Sequence, residues 1–382
     1  MSQDLGLFLR VSSTSLACVT GPGDRYWRTS FDEGKCCHCR WKMASELLQV
    51  SSVPIVNQQS HHGQNFPLVL KCDLSEQSGS PGQSSEQAMK LVASWIAEQR
   101  TDLSQLLQTH GAILFRGFPI PEIEQFDQFV AAFEWPNFPY EQSLSNAVRI
   151  NYTPRVFSAN EAPAEVTIYL HHEMAQTPVF PGKLFFYCQK PADAGGATPV
   201  CRSDILWEQM SERCPEFAAA CEAKGLQYTS VMPSENDASS GMGRSWQGTF
   251  RAASCQDAES RMRQLGYTWE WLPDGCLRAT TPVLPAVVEI SSGRKVFFNQ
   301  LIAAFRGWKD ARNDPSKAIT FGDGSPLKRE DVLQVAEMAE ALTFDIPWQQ
   351  GDIALVDNFV VMHGRRTFQG TRRVYASLIA HE

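Results

Sequence analysis

A chain of 382 residues, 43% apolar and 20% charged, has ordinary globular composition and is long enough to bury a large core. Its formal charge of −8 gives no basic footprint, so neither nucleic acid nor anionic lipid is expected as a partner. No apolar run approaches the eighteen or so residues of a membrane span.

In chain order, residues 1–42 carry Arg10, Arg25, Arg28, Lys35, Arg40 and Lys42 against Asp4, Asp24, Asp32 and Glu33, with no periodic apolar pattern. They are expected to be a disordered extension ahead of one domain over 43–382. The four acidic residues count against a transit peptide, although organelle targeting stays open. Cys36-Cys37-His38-Cys39 is too compressed for zinc, whose paired ligands are normally separated by two to four residues. Ser75 to Ser85 reads as a loop. Apolar residues then recur at helical spacing from Glu86 to His110, stopped by Gly111. Ala112 to Phe115 reads as a buried strand, and Glu122 to Phe133 as a helix with Phe126, Phe129 and Val130 inward. Ser203 to Gly225 reads as one helix with a serine N-cap and a closing glycine. Tyr267 to Trp271 and Leu277 to Val283 flank the turn Pro273-Asp274-Gly275 as a hairpin. Lys295 to Gln300, Asp352 to Met362 and Arg372 to Ala380 read as strands, with an amphipathic helix from Arg329 to Leu342. Cys72, Cys188, Cys201, Cys214, Cys221, Cys255 and Cys276 lack a repeating spacing, and the chain's total of eleven cysteines is odd. Reduced thiols in an intracellular compartment, such as the cytoplasm, are expected.

The chemistry concentrates in Leu170-His171-His172-Glu173-Met174 and in Asp357 to Arg366. If both are strands, His171 and Glu173 share a face and His172 points away. His363 from the distant strand would complete two imidazoles and one carboxylate, the facial triad of a non-haem Fe(II) oxygenase. A His-x-Glu triplet alone is weak, since about one is expected by chance in a chain with this composition. Thr198 and Arg373 add context. A co-substrate such as 2-oxoglutarate needs a cationic anchor for its far carboxylate, which an arginine fork grips with two parallel bonds and a threonine hydroxyl supplements.

These residues sit in longer stretches, among them Gly111 to Phe118, Val156 to Glu161, His171 to Gln176, Lys183 to Cys188, Gly307 to Pro315, Phe321 to Gly324 and Trp348 to Gly364. In order and spacing the chain from about Met43 onward resembles the taurine dioxygenase and clavaminate synthase-like branch of the Fe(II)/2-oxoglutarate oxygenases, nearest its plant clavaminate synthase-like members. The resemblance implies an α+β fold with a double-stranded β-helix (jelly-roll) core flanked by helices. It implies iron ligation by His171, Glu173 and His363, and a 2-oxoglutarate site at Thr198 and Arg373. With O2 as oxidant, it implies hydroxylation or desaturation of a small polar, amino-acid-like molecule, with release of succinate and CO2. Two positions depart from the family: Ala197 replaces a frequent acidic residue, and Ser377 stands where taurine enzymes carry a sulfonate-binding arginine. A sulfonate substrate is therefore disfavoured. A JmjC-like protein hydroxylase and a cupin-type metal protein without 2-oxoglutarate turnover remain alternatives, the first disfavoured because it anchors its co-substrate with lysine.

Other residues have two readings each. His172 fits a packing role better than a ligand role. Asn160 and Glu161 suit either a pocket wall or a turn, and Asn299 leans to a pocket role. Arg244 and Trp246 resemble positions near the co-substrate but suit core packing equally. Arg365 and Arg366 suit either positive potential near bound carboxylates or a solvated strand end. Trp308 and Asp310 are conspicuous without a derivable role.

Overall fold

The computed structural model describes residues 40–42, 48–74 and 85–381. The Cys36 to Cys39 cluster, nearly all of the N-terminal extension and nearly all of the Ser75 to Ser85 loop lie outside the described residues. Arg40–Lys42 is the exception, forming a short strand against Leu48–Ser52.

The helix Ser85–His110 buries Met89, Val92, Trp95, Ile96, Leu103 and Leu107 along one face. It ends where expected. Gly111 adopts φ +77° and returns its N–H to the Leu107 carbonyl at 2.7 Å. The strand Ala112–Arg116 follows at once. It belongs to an eight-stranded sheet in the order Arg40–Lys42, Leu48–Ser52, Leu68–Leu74, Ala112–Arg116, Ile353–Asp357, Pro181–Lys190, Arg373–Ala380 and Phe157–Ser158. A second sheet, of four strands, runs Thr343–Ile346, Thr198–Arg202, Val361–Arg365 and Ile168–His171, all antiparallel.

Strand alternation assigns the faces. Along Pro181–Lys190, Leu184, Phe186 and Cys188 point between the sheets. There they meet Val200, Phe344, Ile346 and Val361 of the smaller sheet. Phe185 and Tyr187 point the other way, onto a core closed by the helices Ser85–His110 and Ile123–Ala131. The outer face of the smaller sheet, with Leu170, Cys201 and Met362, is covered by the helices Ser203–Arg213, Leu301–Gly307 and Arg329–Ala341. The result is a mixed α/β layered structure with many strands.

Three sequence expectations change. The helix over Ser203 to Gly225 is two helices, Ser203–Arg213 and Pro215–Lys224, because Pro215 lacks an N–H and its ring cannot follow a preceding helical turn. Ser203 is not the N-cap; its N–H and hydroxyl donate to the Val360 carbonyl at 2.8 and 3.0 Å. The run Asp352 to Met362 is two strands, Ile353–Asp357 and Val361–Arg365, in different sheets. Between them Asp357 accepts from the Phe359 N–H at 2.9 Å and turns the chain from one layer to the other. Lys295 to Gln300 keeps only Lys295–Val296 as strand, since the Phe298 N–H turns back onto the Val296 carbonyl at 3.0 Å instead of pairing with a neighbouring strand.

Asp357 carries a cost at that turn. Burial pushes its carboxyl up to about 6, against partial relief from the Phe359 N–H and Lys183. Because the folded-state value lies above the unfolded one, the folded state holds the proton more tightly, and stability declines as pH rises from about 4 through about 6. Asp357→Asn is expected to match the wild type near pH 4 and to melt several degrees higher at pH 8, as followed by thermal denaturation across that range.

Candidate metal centre and adjoining cavities

His171 is the last residue of its strand and lies directly across from His363 in the antiparallel pair. The imidazole centroids are 4.4 Å apart. The strand does not continue to Glu173, as strict alternation would require. The chain turns after His171, with Met174 at φ +59° and the Ala175 N–H reaching the His172 carbonyl. Glu173 is therefore delivered by a turn, and Asn358 fixes that turn. Its Oδ1 accepts from the Glu173 N–H at 2.8 Å, while its Nδ2 donates to the Glu173 and Pro181 carbonyls at 3.0 and 2.7 Å. Asn358 is fully enclosed, and the only sequence trace of its role is that Asp357-Asn358 is a turn-forming pair inside an apolar run.

Glu173 Oε2 lies 3.3 Å from His363 Nε2 and 3.9 Å from His171 Nε2. One ligand atom from each of the three residues falls within 4.8 Å of the others. His171 donates Nδ1–H to the Tyr169 carbonyl at 2.8 Å, which leaves Nε2 as the lone-pair nitrogen facing the cluster. The carboxylate is divided in use. Oε1 accepts from Arg149 Nη2 at 2.9 Å, whereas Oε2 is buried with no hydrogen-bond partner. Burial opposes ionisation of Glu173, but Arg149, then His363 and His171, more than reverse it and hold the carboxyl well below the usual range. Burial, then His363, pushes His171 down to about 4, so it is neutral and ready to ligate at neutral pH. An orphaned carboxylate oxygen converging with two imidazole nitrogens is a donor set suited to non-haem iron(II).

His172 faces away from this cluster, as expected. It is fully enclosed, with Nδ1 and Nε2 against the Asn358 and Phe297 carbonyls at 2.5 and 3.1 Å. Gly364 explains how the two histidine strands come so close. A Cβ there would stand 2.4 Å from the Ile168 carbonyl oxygen and 3.2 Å from Pro199, at the register irregularity between His363 and Arg365.

Two cavities meet at His171. The smaller is bordered by His363, Phe186, Thr198 and Arg372. Arg372 donates Nε–H to the Gly196 carbonyl at 2.8 Å and Nη2–H to Thr198 Oγ1 at 3.2 Å. Trp348 adds its indole N–H to the same hydroxyl oxygen at 3.0 Å. Arg372 pairs with no carboxylate among the described residues, and burial, then Arg365, depresses it to about 10. The arginine beside Thr198 is Arg372 and not Arg373. Arg373, the expected anchor, is exposed and opens the last strand opposite Lys190, on the face away from the cavity. A one-residue slip exchanges faces. Val374, Ala376 and Leu378 point between the sheets with Arg372, while Tyr375 and Ile379 point to the helical side. Ser377 shares their phase, so the inward position four residues after Arg372 is Ala376.

The larger cavity, about 370 Å3, reaches from His171, Glu173 and Arg149 to Trp308, Asp310 and Arg312. Its outer wall is ionic. Arg312 Nη2 donates to Asp237 at 2.9 Å and to Asp310 at 2.6 Å, and Ser240 donates to Asp310 at 2.9 Å. Trp308 and Asp310 thereby acquire a place in the site. Asn160 borders both cavities, whereas Glu161 is exposed. Asn299 does not line either. Its amide bridges the Ala286 carbonyl and the Leu301 N–H, and its neighbour Gln300 lines the cavity instead. Arg244 donates to the Ser143, Ser145 and Gly248 carbonyls, and Trp246 packs on Trp271, both apart from the two cavities. Arg365 binds the Ala162, Pro163 and Val166 carbonyls ahead of the His171 strand, and Arg366 pairs with Glu340 and Asp345.

Residues 77–378 match the model of the taurine catabolism dioxygenase TauD, TfdA family. The chain belongs to this family. It is 40% identical over 339 residues to a clavaminate synthase-like protein of Arabidopsis thaliana, covering 87% of this chain and 99% of the relative. It is 30% identical over 295 residues to the dapdiamide synthesis protein DdaC of Enterobacter agglomerans, covering 72% and 84%. A putative alpha-ketoglutarate-dependent taurine dioxygenase from Burkholderia xenovorans superposes with a TM-score of 0.46 at 13% identity, over 87% of this chain and 93% of that one. The protein is a 2-oxoglutarate-dependent non-haem iron dioxygenase.

The His171→Ala, His363→Ala double variant is expected to lose stoichiometric Fe(II) in anaerobic titration, with the wild type binding one equivalent. Retention of a full equivalent by the variant would remove these residues from the centre.

Proposed function

We propose that His171, Glu173 and His363 hold the iron, that Arg372 and Thr198 hold the far carboxylate of 2-oxoglutarate, and that the larger cavity takes a small polar substrate for hydroxylation or desaturation. The single observation that supports the co-substrate site best is Arg372. A half-buried guanidinium without a carboxylate partner among the described residues, on the cavity that also holds His171 and His363, calls for an anion of the ligand's own. The hydroxyl of Thr198 supports the same reading. Its oxygen already accepts from Trp348 and Arg372, so its own O–H is the group left to donate outward. The two facing sheets are assigned as the double-stranded jelly roll expected from sequence.

Iron, 2-oxoglutarate and O2 together supply the oxidising power, one oxygen atom going to succinate and the other to the substrate C–H when the outcome is hydroxylation. The chain's own groups position and shield. Arg372 and Thr198 orient the co-substrate, Phe186 packs at 5.1 Å against the His363 ring, and the enclosed walls limit water. The three cations bordering the smaller cavity, Arg149, Arg365 and Arg372, are all arginines, and none is lysine, which favours this reading over a JmjC-like hydroxylase.

For the substrate, charge balance is informative. Arg149 is matched by Glu173, and Arg312 by Asp237 and Asp310, leaving the exposed Lys309 as the larger cavity's cation without a carboxylate partner among the described residues. With Ala376 in place of a second inward arginine, a buried sulfonate would be poorly compensated. An amino-acid-like molecule that brings both signs of charge fits better.

Arg372→Ala is expected to weaken 2-oxoglutarate binding by roughly 1 to 3 kcal/mol more than Thr198→Ala, because a charge-assisted bidentate contact outweighs one hydroxyl. Arg373→Ala should change little, and calorimetric titration of the iron-loaded variants distinguishes the three. Taurine and other alkylsulfonates are expected to leave succinate release at background; sulfite release with taurine would overturn the substrate reading.

A further inference from the structure

Arg149 stands on the wall common to both cavities, with its side chain 6% exposed. Its guanidinium carbon lies 4.8 Å from the Tyr140 ring centroid and 5.3 Å from that of Phe157, so two aromatic rings hold it in place. The Tyr140 hydroxyl donates to the Ala147 carbonyl at 2.6 Å, which ties the ring to the segment carrying Arg149. Arg244 lies over the same ring but is committed to backbone carbonyls. Arg149 instead engages one oxygen of the metal-site carboxylate, and its Nε has no partner.

A carboxylate can offer a cation one oxygen or two. In Glu173 the two oxygens are already inequivalent: Oε1 is held by Arg149, and Oε2 faces both histidine Nε2 atoms. Turning Oε1 toward the cluster would break a charge-assisted hydrogen bond between two buried groups, leaving a buried guanidinium without its counter-charge. We propose that Arg149 is a positioning residue that restricts Glu173 to Oε2 as its single ligand atom, so that the carboxylate takes one coordination position and the keto acid end of the co-substrate keeps its two. This rests on the iron and 2-oxoglutarate reading given above.

The restriction predicts a split between two affinities. A partner that merely orients a ligand loses about 10- to 100-fold in metal affinity when removed. Here removal of Arg149 frees a second oxygen and takes away a competing cation. Anaerobic titrations with Fe(II), and then with 2-oxoglutarate on the iron-loaded protein, read the two steps separately. Arg149→Gln is expected to bind Fe(II) at least as tightly as the wild type but 2-oxoglutarate about tenfold more weakly, with Arg149→Lys recovering most of the loss. Weaker Fe(II) binding with unchanged 2-oxoglutarate affinity, or no change in either, overturns the proposal. The wild type gives a second check that does not depend on any variant folding: a crystal structure of its Fe(II)-loaded form with Glu173 bound through both oxygens also overturns it. Failure of the wild type to bind Fe(II) or 2-oxoglutarate would instead count against the underlying reading of the site.

Discussion

The site depends on keeping one carboxylate ionised inside a protein. Glu173 is almost fully enclosed, and desolvation alone would neutralise it. Arg149 reverses that preference, and Arg149 and the two imidazoles each come from a different part of the chain. Arg149 arrives on the segment before the Phe157–Ser158 strand, His171 at the end of a strand, and His363 on the strand paired with it. The layered fold is what brings these contributions together. Asn358 adds the fixed backbone angle without which the carboxylate would not face the histidines.

Local signals carried well where local physics governs. The helix Ser85–His110, its glycine stop, the Thr268–Trp271 and Leu277–Thr280 hairpin and the helix Arg329–Ala341 all follow from periodicity and turn chemistry. The meeting of His171, Glu173 and His363 was legible because residue type and a distant partner coincided. What was not legible depends on the third dimension. Nothing in Asp352 to Met362 announces that the run crosses from one sheet to another, because both halves are equally apolar and only the turn at Asp357 divides them. Arg372 and Arg373 differ by one residue in sequence and by an entire face in space, and the register irregularity between Arg373 and Val374 is invisible to a period-two count. The roles of Arg149, Asn358 and Trp348 likewise come from contacts spanning 24, 185 and 150 positions.

The two cavities differ in electrostatic finish. Around the larger one, the arginines already have carboxylate partners and the exposed Lys309 remains. Around the smaller one, Arg372 has none among the described residues. The first suits ligands that vary in polarity and carry balanced charge, and the second suits an anion of fixed length. That asymmetry matches a reaction in which one participant is always the same molecule and the other defines the particular enzyme.

Gly364 gives this division a historical dimension. Any side chain there would collide with the Ile168 carbonyl and separate the strands that carry His171 and His363. The outer wall, built from Asp237, Ser240, Asp310 and Arg312, is held by side-chain contacts that exchange more readily than backbone spacing. Descendants of such a chain can therefore drift in what they accept while the distance between the two histidine-bearing strands stays pinned by a missing methyl group. New specificities would arise at the rim, and loss of the oxidative chemistry would begin at a residue with no side chain at all.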